Sequence, residues 1–254
     1  MLTYSQPLYY EAAYNFFDAK KQVDFFETLF ARYSKIRVKS VLDIACGPGL
    51  QLMEFAKRGY QTAGLDSSAE MLYYLTGRGR SAGLHIETYR CDMHNFKIGA
   101  KVDFAFIMMG SLFVKSEQDL RRHLDSVASA LKKGGLYFIQ NQPYEYPEQT
   151  EKWKNESRGL KADVEFSRTP LDNARCMYAE TVRIRINDKG KQITLENEEQ
   201  RLYISPSELK EFIREKGSFE FLGWYPGGIN EWFIDRSIED SPNKDMNMLL
   251  IRRA

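Results

Sequence analysis

The sequence predicts an α/β domain built on a mostly parallel sheet with helices on both faces. Three observations indicate this class. Residues 41–44 read as a buried strand that leads into a turn of two glycines and one proline. A helical pattern of apolar residues follows until Gly59, and a second apolar strand pattern then ends at Asp66. Strand, helix and strand in this order form a βαβ unit, from which parallel sheets are built.

The turn at residues 47–49 has the composition of a ligand-binding turn. Glycine has no Cβ, so its backbone can adopt a positive φ or approach a ligand closely. Asp66 follows the turn by about twenty residues, which is the spacing at which the second strand of such a unit presents a carboxylate to a ribose. The pattern therefore indicates an adenosine site, and a turn that serves only the fold is the alternative.

The dinucleotide-binding pattern G-x-G-x-x-G fits this turn poorly. Ala45 and Leu50 stand where two of the three glycines belong. This disfavours a nicotinamide-dependent oxidoreductase, which stays the first alternative function. A protein that binds an adenosine cofactor without catalysis is the second. Binding and turnover measurements separate the two alternatives.

The same residues resemble the first motif of class I S-adenosylmethionine-dependent methyltransferases, in which an acid and a small residue precede two glycines. The matching positions are Asp43, Ala45, Gly47 and Gly49, with Ala45 in place of the family's usual first glycine. Later segments resemble further motifs of the family in the same order, at residues 64–72, 91–93, 102–109 and 131–139. The resemblance is to the small-molecule branch, which includes sugar N-methyltransferases.

The resemblance implies a Rossmann-like sheet of seven strands and S-adenosyl-L-methionine as the cofactor. In this family the acid at the position of Asp66 accepts hydrogen bonds from both ribose hydroxyls, and the acid at the position of Asp92 accepts one from the adenine amino group. The cofactor-binding residues that the resemblance implies are Asp43, Ala45, Cys46, Gly47, Gly49, Asp66, Ser67, Met71, Asp92, Met93 and Met109.

The acceptor is expected beyond the fourth predicted strand, at residues 109–113, because open α/β sheets bind ligands outside the carboxyl ends of their strands. This segment differs from the Asn-Pro-Pro-Tyr sequence of methyltransferases that modify DNA bases or protein amides. We expect a small-molecule acceptor, methylated on nitrogen or oxygen, in contact with Ser111, Phe113 and Tyr144. A turn-forming role is the alternative for Ser111.

Tyr14 is the candidate catalytic residue. Residues 14–17, Tyr-Asn-Phe-Phe, resemble an N-terminal tyrosine segment that folds over the cofactor in sugar N-methyltransferases. A tyrosine that reaches the acceptor can orient the nucleophile or take its proton. Packing is the alternative role, because residues 10–30 carry aromatic side chains at helical spacing.

The chain is expected to form one domain, residues 1–254, with an N-terminal helical cap (1–38) and an inserted antiparallel lid (143–204). Alternating apolar and charged residues at 182–186, followed by a turn at 188–190, are typical of antiparallel hairpins. The closing strands of the main sheet are expected at residues 219–224, 231–235 and 246–252.

Composition limits which partners and which cellular compartment we expect for this protein. The formal net charge is +1, so the basic surface expected of a nucleic-acid-binding protein is missing, and no such partner is expected. The 3 cysteines lie far apart and lack histidines at zinc-ligand spacing, which argues against disulfides and against a metal site. The chain starts without a signal-like segment and has no apolar run long enough to span a bilayer. We therefore expect a cytoplasmic protein, monomeric or homodimeric, without a membrane partner.

Overall fold

The computed structural model describes residues 3–140, 148–227, 232–237 and 247–254. Within these ranges the chain forms a seven-stranded sheet flanked by helices and a separate four-stranded sheet. The elements, in chain order, are a 3₁₀ helix (Thr3–Ser5), α1 (Pro7–Tyr14), α2 (Ala19–Tyr33), β1 (Ser40–Ile44), α3 (Leu50–Lys57), β2 (Gln61–Asp66), α4 (Ala69–Ser81), β3 (Glu87–Arg90), β4 (Val102–Ile107), α5 (Glu117–Ala130), β5 (Leu131–Gln140), β6 (Gln149–Ser157), β7 (Leu160–Asp172), β8 (Met177–Asp188), β9 (Lys191–Leu202), α6 (Pro206–Lys216), β10 (Phe219–Pro226) and β11 (Asn247–Arg253).

The seven-stranded sheet has the strand order β10-β11-β5-β4-β1-β2-β3. Strands β1 to β5 run parallel to one another, and β11 runs antiparallel to both β5 and β10. The strand order reverses between β1 and β4, and open α/β sheets bind ligands at such a reversal, outside the carboxyl ends of the strands. The predicted fold class, a mostly parallel seven-stranded sheet with an added antiparallel layer, is confirmed.

The sheet buries one apolar layer on each face because successive residues of a strand point to opposite sides. On one side, Phe104 and Phe106 of β4 pack against Phe26 of α2, with ring centroids 5.1 and 5.2 Å away. On the other side, Ala105 and Ile107 pack with residues of α5 and α6. The aromatic stripe of α2 is therefore core packing.

The four-stranded sheet has the order β6-β7-β8-β9, and each neighbouring pair is antiparallel. Ile184 and Ile186 are fully buried, whereas Arg183 and Arg185 between them stay partly or fully exposed, as the alternation predicts. The buried face packs against Ala12 and Ala13 of α1, so this sheet and the N-terminal helix share one apolar layer.

One predicted helix end and one predicted strand are wrong. The Lys-Lys-Gly-Gly sequence at residues 132–135 predicts the end of a helix, but α5 ends at Ala130 and these residues belong to β5. Gly135 approaches β4 so closely that a Cβ would lie 2.5 Å from the Asp103 carbonyl oxygen, which explains the glycine by strand contact instead of helix termination. The strand expected at residues 231–235 is also missing from its described part, where Trp232 makes an isolated bridge to Gly227.

None of the helices in the described ranges combines the length and the apolar character needed to cross a bilayer.

Candidate cofactor and acceptor site

The turn after β1 bends through three left-handed residues, Ala45, Gly47 and Gly49, with φ of 57°, 50° and 66°. The two glycines serve different purposes. A Cβ at Gly49 would lie 2.4 Å from Leu75 of α4, so this glycine is needed for helix packing. A Cβ at Gly47 would lie 3.9 Å from Tyr10 Cε1, an ordinary contact distance, which leaves the turn open to a ligand. Ala45 holds a backbone conformation that is uncommon for a residue with a Cβ.

Asp66 at the end of β2 is joined directly to this turn. Its Oδ2 accepts a hydrogen bond from the Gly47 N–H at 2.8 Å, and its Oδ1 accepts one from the Ser68 N–H at 2.9 Å. Burial raises the pKa of Asp66, and these backbone hydrogen bonds oppose the shift. Each carboxylate oxygen has a second lone pair, so both can still accept a hydrogen bond from a hydroxyl group.

The residues around the start of α4 divide between surface and core. Ser67 is exposed beside Asp66, and Ser68, one residue later, caps the helix by accepting from the Met71 N–H. Met71 is 1% exposed and is packed into the protein. Ser67 is therefore accessible to a ligand whose ribose is bound at Asp66, whereas Met71 contributes to the site by packing in the core.

An open cleft lies beside the turn. Three parts of the chain enclose it: helix α1 with the residues that follow, the end of β1 with the glycine turn, and the segment after β4. The lining residues are Tyr10, Glu11, Tyr14, Asn15, Phe17, Asp43, Ala45, Cys46, Gly47, Pro48, Gly49, Leu50, Gln51, Met108, Met109 and Ser111. The structure thus brings Tyr14, Met109, Ser111 and the predicted cofactor turn together in the cleft. The predicted residues that do not line it are Asp66, Ser67, Met71, Asp92, Met93 and Phe113.

Asp43 lies at the base of this cleft. Its side chain is 3% exposed, and burial together with nearby Asp66 raises its pKa well above the usual range. Burial likewise raises the pKa of the neighbouring Cys46 thiol, which makes this cysteine a packing residue and not a nucleophile. The base of the cleft therefore offers hydrogen-bonding groups and little charge.

Tyr14 closes the cleft from the α1 side. Its ring lies 4.6 Å from that of Tyr10 and 5.6 Å from that of Trp153 in β6, measured between centroids. Burial raises the pKa of Tyr14 well above its usual value. A phenol in this environment stays protonated at neutral pH, so the geometry favours Tyr14 as a hydrogen-bond donor over Tyr14 as a proton acceptor.

The segment after β4 is held by its backbone carbonyl groups, and we name residues 109–114 the acceptor loop. The Arg201 guanidinium donates a hydrogen bond to the Gly110 carbonyl oxygen and lies 4.0 Å above the ring of Phe113. The Leu202 N–H donates to the Val114 carbonyl oxygen at 2.7 Å. Strand β9 of the four-stranded sheet therefore fixes the loop where the acceptor is expected.

Arg201 belongs to a buried charge cluster that the sequence did not reveal. Glu180 lies between two arginines: its Oε1 accepts from Arg168 Nε at 2.9 Å, and its Oε2 lies 3.2 Å from Arg201 Nε. Glu180 and Arg201 each have side chains 7% exposed. Charged residues that alternate along a strand predict a solvent-exposed face, so no local signal distinguishes this cluster from the exposed pairs beside it.

Glu11, which lines the cleft, is a second buried charged residue that the sequence pattern does not reveal. It is 3% exposed and accepts from Tyr74 Oη at 3.0 Å, from Arg78 at 2.7 Å and, as an ion pair, from Arg158 at 3.0 Å. These partners lie on α4 and on the turn between β6 and β7. One carboxylate thus ties α1, which carries Tyr10 and Tyr14, to both layers of the protein.

His123 of α5 follows Arg122 and stands opposite the apolar stripe of the helical pattern, which predicts either a hydrogen-bonded or a solvent-facing histidine, and the structure shows the hydrogen-bonded one. The side chain is fully buried, with Nδ1 2.9 Å from the Met93 carbonyl oxygen and Nε2 2.6 Å from Tyr137 Oη. Burial lowers the pKa of His123 to about 4. The neutral ring donates from Nδ1 to the Met93 carbonyl oxygen and accepts from Tyr137 Oη. It therefore connects the segment after β3 to β5.

Tyr144, a predicted acceptor contact, lies outside the described residues. Among the described residues, no group of three or more potential metal ligands is found, and the three cysteines are free thiols.

A parallel sheet with a glycine turn after β1, an acid at the end of β2 and an antiparallel closing hairpin defines the class I methyltransferase fold. Residues 41–135 match a protein family described as a methyltransferase domain. This match covers less than half of the chain, and it confirms the resemblance to methyltransferases that the sequence predicts.

Two curated relatives are amino-sugar enzymes by name. The dTDP-3-amino-3,4,6-trideoxy-alpha-D-glucopyranose N,N-dimethyltransferase of Streptomyces venezuelae is 34% identical over 110 residues, 43% of this chain and 44% of the relative. The dTDP-3-amino-3,6-dideoxy-alpha-D-glucopyranose N,N-dimethyltransferase of Streptomyces fradiae is 28% identical over 113 residues, 44% of this chain and 42% of the relative. The matched segment spans less than half the length of each relative.

Solved structures match over nearly the whole chain. An S-adenosylmethionine-dependent methyltransferase from Clostridium acetobutylicum has a TM-score of 0.77 and 17% identity, covering 93% of this chain and 92% of its own. An amino pentose methyltransferase from Micromonospora echinaspora, solved with bound S-adenosylmethionine, has a TM-score of 0.70 and 17% identity, covering 96% of both chains. At these identities the likeness shows the shared fold.

Proposed function

We propose that this protein is an S-adenosyl-L-methionine-dependent methyltransferase that methylates the nitrogen of a small-molecule amine, such as an amino sugar. The observation that carries the proposal is the cleft in which the glycine turn, the acceptor loop and Tyr14 of α1 meet. The matched methyltransferase domain and the names of the amino-sugar relatives support the reaction and the acceptor class.

The residues present fit the proposed cofactor. The open space at Gly47 admits a ligand, and Asp66 next to it has lone pairs left for the two ribose hydroxyls. Asp92 would accept from the adenine amino group, and Asp43, Ala45 and Met109 would surround the methionine end. When bound, S-adenosylmethionine supplies a methyl group on a sulfonium, which an acceptor can displace in line.

The chain's own residues would then orient the acceptor. Tyr14 would donate a hydrogen bond from its protonated hydroxyl, and Ser111 would contribute a second polar contact from the acceptor loop. Phe113 would supply apolar surface beside Arg201. Orientation alone can lower a barrier by about 7 to 11 kcal/mol, so an elaborate set of catalytic groups is not required.

The same proposal assigns a covering role to residues 1–38 and 143–204. Trp153 and Asn155 of β6 donate hydrogen bonds to the Ala13 and Ala12 carbonyl oxygens, at 3.0 and 2.8 Å. Helix α1 and the four-stranded sheet are thereby joined, and together they would exclude water and polymeric substrates from the cleft.

The proposal also covers the partners, the cellular compartment and the oligomeric state of the enzyme. A net charge of +1 gives no electrostatic drive toward nucleic acid, in keeping with a small-molecule acceptor. Free thiols are typical of a reducing compartment, so we propose a cytosolic enzyme, monomeric or homodimeric.

Calorimetry and methyl-transfer assays test the proposal. S-adenosylmethionine and S-adenosylhomocysteine should bind the wild type, whereas NAD should not. Labelled methyl groups should then appear on one or more members of a panel of amino sugars, dTDP-amino sugars and simple amines, with phenols and alcohols as the comparison set. Binding of NAD in preference to S-adenosylmethionine would support an oxidoreductase, and cofactor binding without transfer to any panel member would support a silent binding protein.

A further inference from the structure

His94 lies between the two ends of the candidate site. It directly follows the predicted adenine-binding segment, and both of its ring nitrogens have oxygen partners. Nδ1 is 2.7 Å from Asp92 Oδ1, and Nε2 is 2.6 Å from the Phe113 carbonyl oxygen in the acceptor loop. One side chain therefore contacts both the acid expected to bind adenine and the loop expected to bind the acceptor.

Both partners of the ring are hydrogen-bond acceptors. A neutral imidazole can donate from one nitrogen only, whereas the doubly protonated ring donates from both. Two carboxylates, Asp92 and Asp119, interact electrostatically with this ring, and so does the imidazole of His123 on α5. The ring therefore lies between two hydrogen-bond acceptors, the Asp92 carboxylate on one side and the Phe113 carbonyl group on the other.

The contact with Asp92 also sets how that carboxylate can receive a ligand. Asp92 Oδ1 accepts from the His94 backbone N–H at 2.8 Å as well as from the ring. Both bonds use Oδ1, and the Asp92 side chain is 68% exposed. Oδ2 is therefore the oxygen that would accept from an adenine amino group.

We propose that His94 is a positioning residue that couples occupation of the adenine end of the site to the geometry of the acceptor loop. A cofactor held by Asp92 would fix that carboxylate, the carboxylate would fix the imidazole, and the imidazole would fix the Phe113 carbonyl group. The inference rests on the proposed function, because it requires an adenosine cofactor at Asp92.

Two single substitutions separate the two halves of this connection. In His94→Asn the side-chain amide stands near the position of Nδ1, so the contact with Asp92 can be kept while the contact with Phe113 is lost. In His94→Gln the longer amide stands near the position of Nε2, so the contact with Phe113 can be kept while the contact with Asp92 is lost. His85→Gln is the matched control, because His85 is an exposed histidine outside the site.

The two measurements are calorimetric affinity for S-adenosylhomocysteine and hydrogen exchange of the backbone amides of residues 111–114. We expect His94→Gln to weaken S-adenosylhomocysteine binding about three- to tenfold, while the exchange of the free protein stays near wild type. We expect His94→Asn to keep the affinity and to speed exchange in the loop. Added S-adenosylhomocysteine should slow loop exchange in the wild type and in His85→Gln, and should slow it less in both His94 variants.

The outcomes discriminate between the two proposals. If S-adenosylhomocysteine does not bind the wild type, the proposed function is wrong and the coupling has no basis. If it binds, but both His94 variants lose affinity equally or respond in the loop as the wild type does, the coupling is overturned and the proposed function stands. A structural role alone lowers stability without producing this crossed pattern.

Discussion

The cofactor half of the site and its cover are built in different ways. The cofactor half, residues 41–114, presents backbone turns and carboxylates at the ends of adjacent parallel strands, with Asp66 2.8 Å from the Gly47 nitrogen. The cover, α1 with the four-stranded sheet, is fixed by buried charges such as Glu11 and Glu180. Position in the sheet therefore defines the first region, whereas ion pairs between distant segments define the second.

The largest expected effect lies in the cover, at Arg201. Arg201→Met removes one of the two arginines that flank the buried Glu180 carboxylate, and also the guanidinium donor of the Gly110 carbonyl group, so it should lower the free energy of unfolding by about 3 kcal/mol. Urea denaturation measures this change. Arg183→Met on β8 is the matched control, because its pair with Glu196 is exposed and should contribute about 1 kcal/mol or less. Equal effects of the two substitutions would remove the distinction between buried and exposed pairs on this sheet.

The next effect belongs to the cofactor half, at Asp66. Asp66→Ala should cost about 1.5 to 3 kcal/mol of binding free energy, or roughly ten- to a hundredfold in affinity for S-adenosylhomocysteine, because the ribose hydroxyls lose their acceptor. Calorimetry on a folded variant measures it. Asp163→Ala, which removes an exposed carboxylate from β7, should leave the affinity unchanged. Unchanged affinity in Asp66→Ala would place the ribose elsewhere.

The contrast between the two regions also explains how far the sequence could be interpreted. The position of the glycine turn beside Asp66 was predictable because it follows from local order in a βαβ unit. At Gly49 the glycine has a structural reason that the sequence did not reveal, since the atoms that exclude a Cβ belong to Leu75 of α4. Glu11 was missed because its partners, such as Arg158, lie far away in the sequence. Burial of a charge depends on such distant contacts and leaves no periodic signal.

A pH-dependent effect should arise at His123 of α5, which contacts the Met93 carbonyl group of the cofactor half. Its folded pKa of about 4 lies below the value of about 6.5 expected in the unfolded chain, so the unfolded state binds the proton first as the pH falls. The stability that this neutral ring contributes is present above about pH 6.5 and is lost progressively toward pH 4.

The variant His123→Asn isolates this titration, because an amide can still donate to the Met93 carbonyl group but does not take up a proton. The advantage of the wild type over the variant in urea denaturation should shrink by about 1 to 2 kcal/mol between about pH 6.5 and pH 5. Every other titrating group is common to both proteins, so a difference that stays constant with pH would contradict the assignment.

The smallest effect is expected where the two regions meet, at Tyr14. Its ring packs against Tyr10 and Trp153, and these packing contacts survive in Tyr14→Phe, which removes only the hydroxyl group. If the hydroxyl orients the acceptor, kcat should fall about two- to tenfold while the affinity for S-adenosylhomocysteine stays near wild type, since one hydrogen bond contributes about 0.5 to 1.5 kcal/mol.

A general base at Tyr14 predicts a different result. Because burial raises the pKa of Tyr14, the phenolate is scarce at neutral pH, and a reaction that required it would accelerate steeply as the pH rises. A pH–rate profile of the wild type with the best amine from the panel distinguishes the two roles. Similar profiles for wild type and Tyr14→Phe favour orientation by the cover. A steep alkaline rise that the variant abolishes would instead make Tyr14 a proton acceptor. The cover would then take part in the methyl transfer together with the cofactor half and the acceptor loop.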